Sequence, residues 1–233
     1  MAINTINLEK SFSGRAFKLG PINFSIKPGE VHALFGHNGA GKSTLFQLMT
    51  GNMDPDAGKI EILGEPMKME SYDLKKRIGY LPQHLTLPEW VTPKEILRYA
   101  SHLYGLNNSR EIIQSQLEYW DCSSFLERPV NRCSHGMQKR VSLALATIHK
   151  PEILILDEPF SGLDFYHIRS LKNMIRLRQE ENKITIVCTH MAPYAAELCN
   201  RASVLWKGEL SYLPEWQSGQ QSDRIKIIES QFS

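Results

Sequence analysis

Gly36-His37-Asn38-Gly39-Ala40-Gly41-Lys42-Ser43 is a glycine-rich loop that ends in a lysine and a hydroxyl. The pattern G-x-x-x-x-G-K-[ST] lets successive backbone N–H groups wrap phosphate oxygens at a helix N-terminus. Its flanks carry the context the pattern requires. Residues 31–35 form a short apolar run after the turn Lys27-Pro28-Gly29-Glu30, and Leu45, Leu48 and Met49 follow at helical spacing until Gly51. The order is strand, glycine loop, helix, so the loop is expected to hold a nucleoside triphosphate through Gly36, His37, Asn38, Gly39, Ala40, Gly41, Lys42, Ser43 and Thr44. Lys42 would reach the β- and γ-phosphates and the Ser43 hydroxyl would hold Mg²⁺.

Phosphoryl transfer needs an acidic group on a neighbouring strand, both to hold Mg²⁺ and to orient the attacking water. The apolar run 153–156 leads directly into Asp157-Glu158. Asp157 is the expected Mg²⁺-side carboxylate and Glu158 the expected general base. Ile168, Leu171 and Ile175 mark a helix between this run and a second apolar run at 184–188, which makes a β-α-β unit and a parallel sheet.

The rest of the chain is consistent with that core. Residues 3–8, and then Ile22, Phe24 and Ile26, alternate as strands do. From Thr92 the period becomes helical. Pro93 opens a helix with Ile96, Ala100 and Leu103 on one face, Asn108 or Ser109 can cap a second, and Met137, Val141, Ala144, Leu145 and Ile148 mark a third. The stretch 85–150 is therefore a helical insert. A hairpin is expected at Lys207-Gly208, and the tail from Pro214 is read as a polar linker leading to a short helix over 225–232.

Composition narrows the function. The 233 residues are 42% hydrophobic and 22% charged, values of a globular chain, and the longest apolar runs are far too short to span a bilayer. A net charge of +2 gives no electrostatic footprint for nucleic acid. Cys122, Cys133, Cys188 and Cys199 form no C-x-x-C pair, so free thiols are expected. The N-terminal residues lack the basic start and apolar stretch of a signal peptide, which points to the cytosol.

With these residues in place the chain resembles the ATP-binding cassette (ABC) ATPases, specifically the nucleotide-binding subunit of an ABC transporter of the exporter-like branch. The resemblance runs over about 3–213. Tyr80-Leu81-Pro82-Gln83 looks like the Q-loop, Cys133-Ser134-His135-Gly136-Met137 stands where the family has its L-S-G-G-Q signature, and Ser161-Gly162-Leu163-Asp164 looks like the D-loop. His190 looks like the switch histidine, and Phe12 stands where an aromatic stacks on adenine. The implied fold is the α/β P-loop NTPase core, a RecA-like parallel sheet, with an N-terminal antiparallel β-subdomain and a helical subdomain. One ATPase domain would cover 1–213, its core and β-subdomain in 1–84 and 151–213 and its helical subdomain in 85–150, with a tail at 214–233.

The resemblance also implies a mechanism. Two chains would sandwich two ATP molecules, each between Lys42 of one copy and Ser134 and Gly136 of the other. Glu158, His190, Gln83 and Lys42 would be catalytic, and Ser43, Gln83 and Asp157 would hold Mg²⁺. A separate integral membrane permease, contacted through the helical insert, would place the chain peripherally on the inner face of the cell membrane. The signature departs from the family pattern at Cys133, His135 and Met137, and His135 would be strained if its φ were positive. His37, where proline is usual, is expected to face solvent or a partner. Two other readings fit the same cassette. One is a soluble ABC ATPase working on DNA or ribosomes, against which stand the lack of a coiled-coil insertion, a second cassette or zinc modules. The other is a regulatory subunit crippled at the signature, against which stand Asp157, Glu158 and His190.

Overall fold

Unbroken apolar runs on the central strands call for a layer on each side of the sheet, and the molecule is built that way. The computed structural model describes residues 2–12, 14 and 17–232. The strands are β1 Ile3–Ser11, β2 Lys18–Ile26, β3 Val31–Phe35, β4 Ala57–Ile62, β5 Glu65–Pro66, β6 Ile78–Leu81, β7 Ile153–Asp157, β8 Ile184–Cys188, β9 Arg201–Trp206 and β10 Glu209–Tyr212. The helices are α1 Lys42–Met49, α2 Tyr72–Lys75, α3 Pro93–Leu103, α4 Ser109–Tyr119, α5 His135–Thr147, α6 Phe165–Glu180, α7 Ala192–Leu198, α8 Glu215–Ser218 and α9 Gln221–Phe232.

A six-stranded sheet runs in the order β10-β9-β3-β8-β7-β6, parallel except for the β9–β10 hairpin. A four-stranded antiparallel sheet runs β2-β1-β4-β5. On β7, Leu154 and Leu156 face the helical layer, while Ile153 and Ile155 face α1 and the antiparallel sheet. That is the two-residue period of a strand buried on both faces. Tyr212 ties the sheets together. Its hydroxyl accepts from the Ser25 N–H at 2.6 Å and donates to the Ser25 carbonyl at 3.0 Å.

The expected α/β architecture is present, with two local differences. Asn108 precedes α4 but takes φ 56° and its side chain makes no capping bond, so the left-handed turn, and not a side-chain cap, starts that helix. The tail is not a polar linker at its start, because α8 buries Trp216 completely, and Trp216 Nε1 donates to the Cys199 carbonyl at 2.9 Å. All four cysteines are free and buried, and burial pushes the Cys122 thiol up to about 12. No described helix is long and apolar enough to cross a membrane.

Candidate functional site

The phosphate loop leaves the C-terminal end of β3 and enters α1, the crevice where open parallel sheets place ligands. Two of its glycines are required by geometry. A Cβ at Gly36 would lie 2.5 Å from the Leu205 carbonyl oxygen, and Gly41 combines φ 109° with a Cβ position 2.8 Å from both Phe17 and Leu19. Lys42 Nζ donates to the carbonyls of Gly36 at 2.6 Å and His37 at 3.1 Å, which holds the ammonium over the loop. Ala40 is fully buried, its N–H donates to the His37 carbonyl at 3.2 Å, and its carbonyl accepts from the Gly208 N–H at 3.1 Å.

Strand ends from across the sheet complete the site. Gly36, His37, Asn38, Lys42, Gln83, Glu158, Thr189 and His190 line one cavity of about 570 Å³. Phe12, Gly39, Gly41, Ser43 and Thr44 line an adjoining cleft of about 660 Å³ that shares Lys42 and Gln83. Phe17 stands in the same cleft as Phe12, so two aromatics border the phosphate loop where one was expected. His37 does not simply face solvent. It packs edge-on against Trp206, ring centroids 4.5 Å apart, and Nδ1 donates to the Asn38 carbonyl at 2.7 Å.

Glu158 is held from three sides. Oε1 accepts from the His190 N–H at 3.0 Å, Oε2 accepts from the Thr189 hydroxyl at 3.2 Å, and His190 Nδ1 lies 2.9 Å from Oε2. Its backbone sits at φ 47°, a left-handed conformation that costs a bulky residue about 1–3 kcal/mol. Two bonds fix that conformation: the Glu158 N–H donates to the Cys188 carbonyl at 2.8 Å, and buried Lys139 of α5 donates to the Glu158 carbonyl at 2.8 Å. Nothing local in the sequence signalled Lys139, which reaches Glu158 from a different element. Burial lowers the Lys139 ammonium while Asp157 and Glu158 oppose the shift.

Asp157 lies behind this wall, 2% exposed, with Oδ1 buried and without a hydrogen-bond partner. Burial raises its carboxyl, helped by the Glu158 charge and opposed by Cys188, Lys42 and Lys139. An orphaned carboxylate oxygen, a serine hydroxyl and a glutamine amide oxygen are hard donors of the kind Mg²⁺ takes. No group of three or more His, Cys, Asp or Glu that could hold a metal occurs among the described residues. Magnesium in such a site draws most of its ligands from phosphate and water, so the donor set fits.

Ser134 and Gly136 are not brought to the phosphate loop of their own chain. They line a separate cleft of about 250 Å³ with Met137, Arg140, Gly162, Leu163, Asp164 and His167. Ser134 caps α5 by accepting from the Met137 N–H at 3.3 Å, and Met137 Sδ accepts from the Ser134 N–H at 3.4 Å. The thioether thus completes the capping box that glutamine or glutamate usually makes. His135 is the first residue of α5, so the strain expected for a positive φ does not arise. A Cβ on Gly136 would lie 2.7 Å from the Gly162 carbonyl oxygen, which explains the small residue there. Arg140 and His167 brace the cleft: Nη1 donates to Asp121 and to His167 Nε2 at 3.0 Å, and His167 Nδ1 contacts Asp164 at 2.7 Å.

A further concavity, about 1050 Å³, lies between the phosphate-loop core and α3, lined by Tyr80, Leu87, Tyr104 and Leu145. At its rim Trp90 is 81%, Tyr99 67% and Leu103 60% exposed.

Comparisons with known proteins agree with this geometry. A family model described as ABC transporter matches residues 19–161. The chain is 36% identical over 210 residues to the Nod factor export ATP-binding protein I of a Rhizobium species, covering 89% of this chain and 69% of that protein. It is 33% identical over 209 residues to an uncharacterized ABC transporter ATP-binding protein, YxlF, of Bacillus subtilis, with the same coverage of 89% and 69%. Among solved structures, an ATP-binding subunit of an ABC transporter superposes with a TM-score of 0.86 at 26% identity, over 97% of this chain and 98% of that one. A phosphate loop at the head of a parallel sheet, a signature facing elsewhere and relatives of this kind lead to one conclusion: the chain belongs to the ABC transporter family, as one of its ATP-binding ATPase cassettes.

Proposed function

We propose that this chain powers transport through a separate membrane permease, hydrolysing ATP at two sites shared between two copies, and that the direction is export, as in the Nod factor export relatives. The observation that carries the two-copy site is the separation within one chain. Lys42, Gln83, Glu158 and His190 share a cavity, while Ser134 and Gly136 open onto a different cleft. In this reading the partner's Ser134 hydroxyl and the N–H groups at the start of its α5 cover the γ-phosphate held by Lys42.

The chemical step is in-line attack of water on the γ-phosphorus. Glu158 takes the proton from water, the new P–O bond forms, and the bond to the β-phosphate oxygen breaks, leaving ADP with the electron pair. His190 donates to a γ-phosphate oxygen, and Lys42 and the loop N–H groups hold the charge that develops. Asp157, Ser43 and Gln83 would hold Mg²⁺, which would neutralise charge on the β- and γ-phosphate oxygens. Phe12, with Phe17 beside it, packs the adenine. The partition into a domain over 1–213, with 85–150 as its moving helical part, follows from this mechanism. The groove at Trp90 and Tyr99 would seat the permease and keep the chain peripheral to the membrane, because its apolar lining and exposed aromatic rim suit a helix in a groove.

The test is Glu158→Gln with ATP on a sizing column. The expected result is a stable dimer that reverts to monomer when ATP is removed, and a chain that stays monomeric with ATP overturns the shared site.

A further inference from the structure

The tail after β10 folds back onto the element that carries the switch histidine. Helix α7 begins at Ala192, two residues after His190, and the Ala192 N–H donates to the His190 carbonyl at 3.1 Å. The Met191 N–H donates to the Thr189 hydroxyl at 3.1 Å, so the Thr189–His190 turn and α7 move as one piece. On one side α7 is tied to α6, where Glu197 pairs with Lys172 and Arg176. On the other side it is gripped by α9. Arg224 Nη1 donates to the Ala196 carbonyl at 3.0 Å and the Cys199 carbonyl at 3.1 Å, its Nε donates to the Trp216 carbonyl at 2.8 Å, and the guanidinium lies over the Trp216 ring. Gln221 Nε2 reaches the Pro193 carbonyl at the other end of α7, at 3.4 Å.

The physical role of these bonds is specific. The last carbonyls of a helix have no intrahelical partner, and α7 is only seven residues long, so few internal bonds hold it together. A cation bonded to those carbonyls satisfies them and complements the negative end of the helix. Farther along α9 from Arg224, buried Ile228 reaches the wall of the cavity that holds Lys42, Glu158 and His190. The terminal helix is thus fastened at one end to the base of α7 and at the other to the rim of the reaction chamber.

We propose that Arg224 is a positioning residue for His190: by bonding the C-terminal carbonyls of α7 it fixes the angle at which the Thr189–His190 turn meets the Glu158 carboxylate. The inference rests on the proposed role of His190 in hydrolysis. It concerns geometry at the γ-phosphate and not nucleotide affinity, which the phosphate loop supplies.

The test compares the unsubstituted chain with Arg224→Gln and Arg224→Lys, measuring ATP turnover and backbone amide exchange. Arg224→Gln is expected to lower kcat about fivefold with KM for ATP unchanged, and to speed exchange over 192–199 about tenfold while α1 exchanges as before. Arg224→Lys, which keeps the charge, should recover part of both effects. In a His190→Ala background Arg224→Gln should cost no further activity, because the two act through one group. The proposal is overturned if exchange over 192–199 is unchanged, or if the losses simply multiply in the double variant, as general destabilisation would make them. Should Arg224→Gln not fold, Gln221→Ala, which removes the bond to Pro193, is read the same way: faster exchange with lower kcat supports the clamp and unchanged exchange overturns it. A wild-type chain that turns over no ATP overturns the proposed function, whereas normal kcat in Arg224→Gln overturns this inference alone.

Discussion

Glu30, His32 and Ser203 bring together the same three groups as Glu158, His190 and Thr189, but the hydroxyl bonds the imidazole in the first set and the carboxylate in the second, and the two histidines lie at opposite extremes of exposure. His32 Nδ1 lies 2.7 Å from Glu30 and Nε2 lies 3.0 Å from the Ser203 hydroxyl, an acid, imidazole and hydroxyl in a row. That geometry resembles an acyl-transfer triad. Yet His32 and Ser203 are fully buried, and the Phe24 and Tyr212 rings pack against the imidazole. Burial lowers His32 against the pull of Glu30. Glu30 is pushed up by burial, but His32 and Arg201 bring its carboxyl below the ordinary range. His190, by contrast, has a side chain 75% exposed beside a 14% exposed Glu158 at the wall of a cavity. The difference teaches that hydrogen-bond geometry makes a strut or a site according to whether a ligand can reach it.

Experiments can break this comparison. The largest effect is expected for Glu158→Gln, where loss of the proposed general base lowers turnover about a thousandfold. Its melting temperature should match wild type, and a large loss of stability would put Glu158 with the struts. His32→Ala should do the opposite. Leaving Glu30 and Ser203 without their buried partner lowers the free energy of unfolding by about 3 kcal/mol in urea melts, while the folded fraction keeps its KM for ATP. A collapse of nucleotide affinity at full stability would show that the buried row is part of the site.

Titration sharpens the same contrast at a third histidine. His149 stacks on Tyr104 at 3.9 Å and contacts the Ile78 carbonyl, and burial lowers it to about 4. The folded chain keeps this imidazole neutral down to about pH 4, whereas the unfolded chain protonates it below about 6.5. Stability is therefore lost as pH falls through that window, by up to about 1.4 kcal/mol per pH unit, and His149→Gln should flatten the profile. The smallest effect is expected at Met137→Gln. An amide replaces sulfur in the capping box of α5, and stability should rise by about 0.3 kcal/mol in thermal melts.

Much of this was legible in the chain because the signals are local. The loop at 36–43, the acidic pair after 153–156 and the period change at Thr92 each declare themselves within a few residues, and β3, α1, β7 and α3 follow them. Lys139, Arg140, His167, Phe17 and Arg224 were silent, because each acts on a residue that is distant in sequence and carries no pattern of its own. Trp216 was hidden for the same reason: a lone aromatic in a polar stretch discloses its burial only when folding brings Phe35 and the Cys199 carbonyl against it. Asn108 misled in a different way, since a good capping residue is also one of the few that tolerate a left-handed turn.

The bond from Lys139 to the Glu158 carbonyl links the proposed base to the helix that Ser134 caps. Under the proposed mechanism, that makes the helix a brake on idle consumption. An unpaired chain has its base aligned but nothing over the phosphate, so it wastes little fuel between transport cycles. When two chains meet, whatever displaces α5 in the one is felt at the one peptide whose twist aims the carboxylate, and the firing of the two sites becomes a matter of timing as much as of affinity.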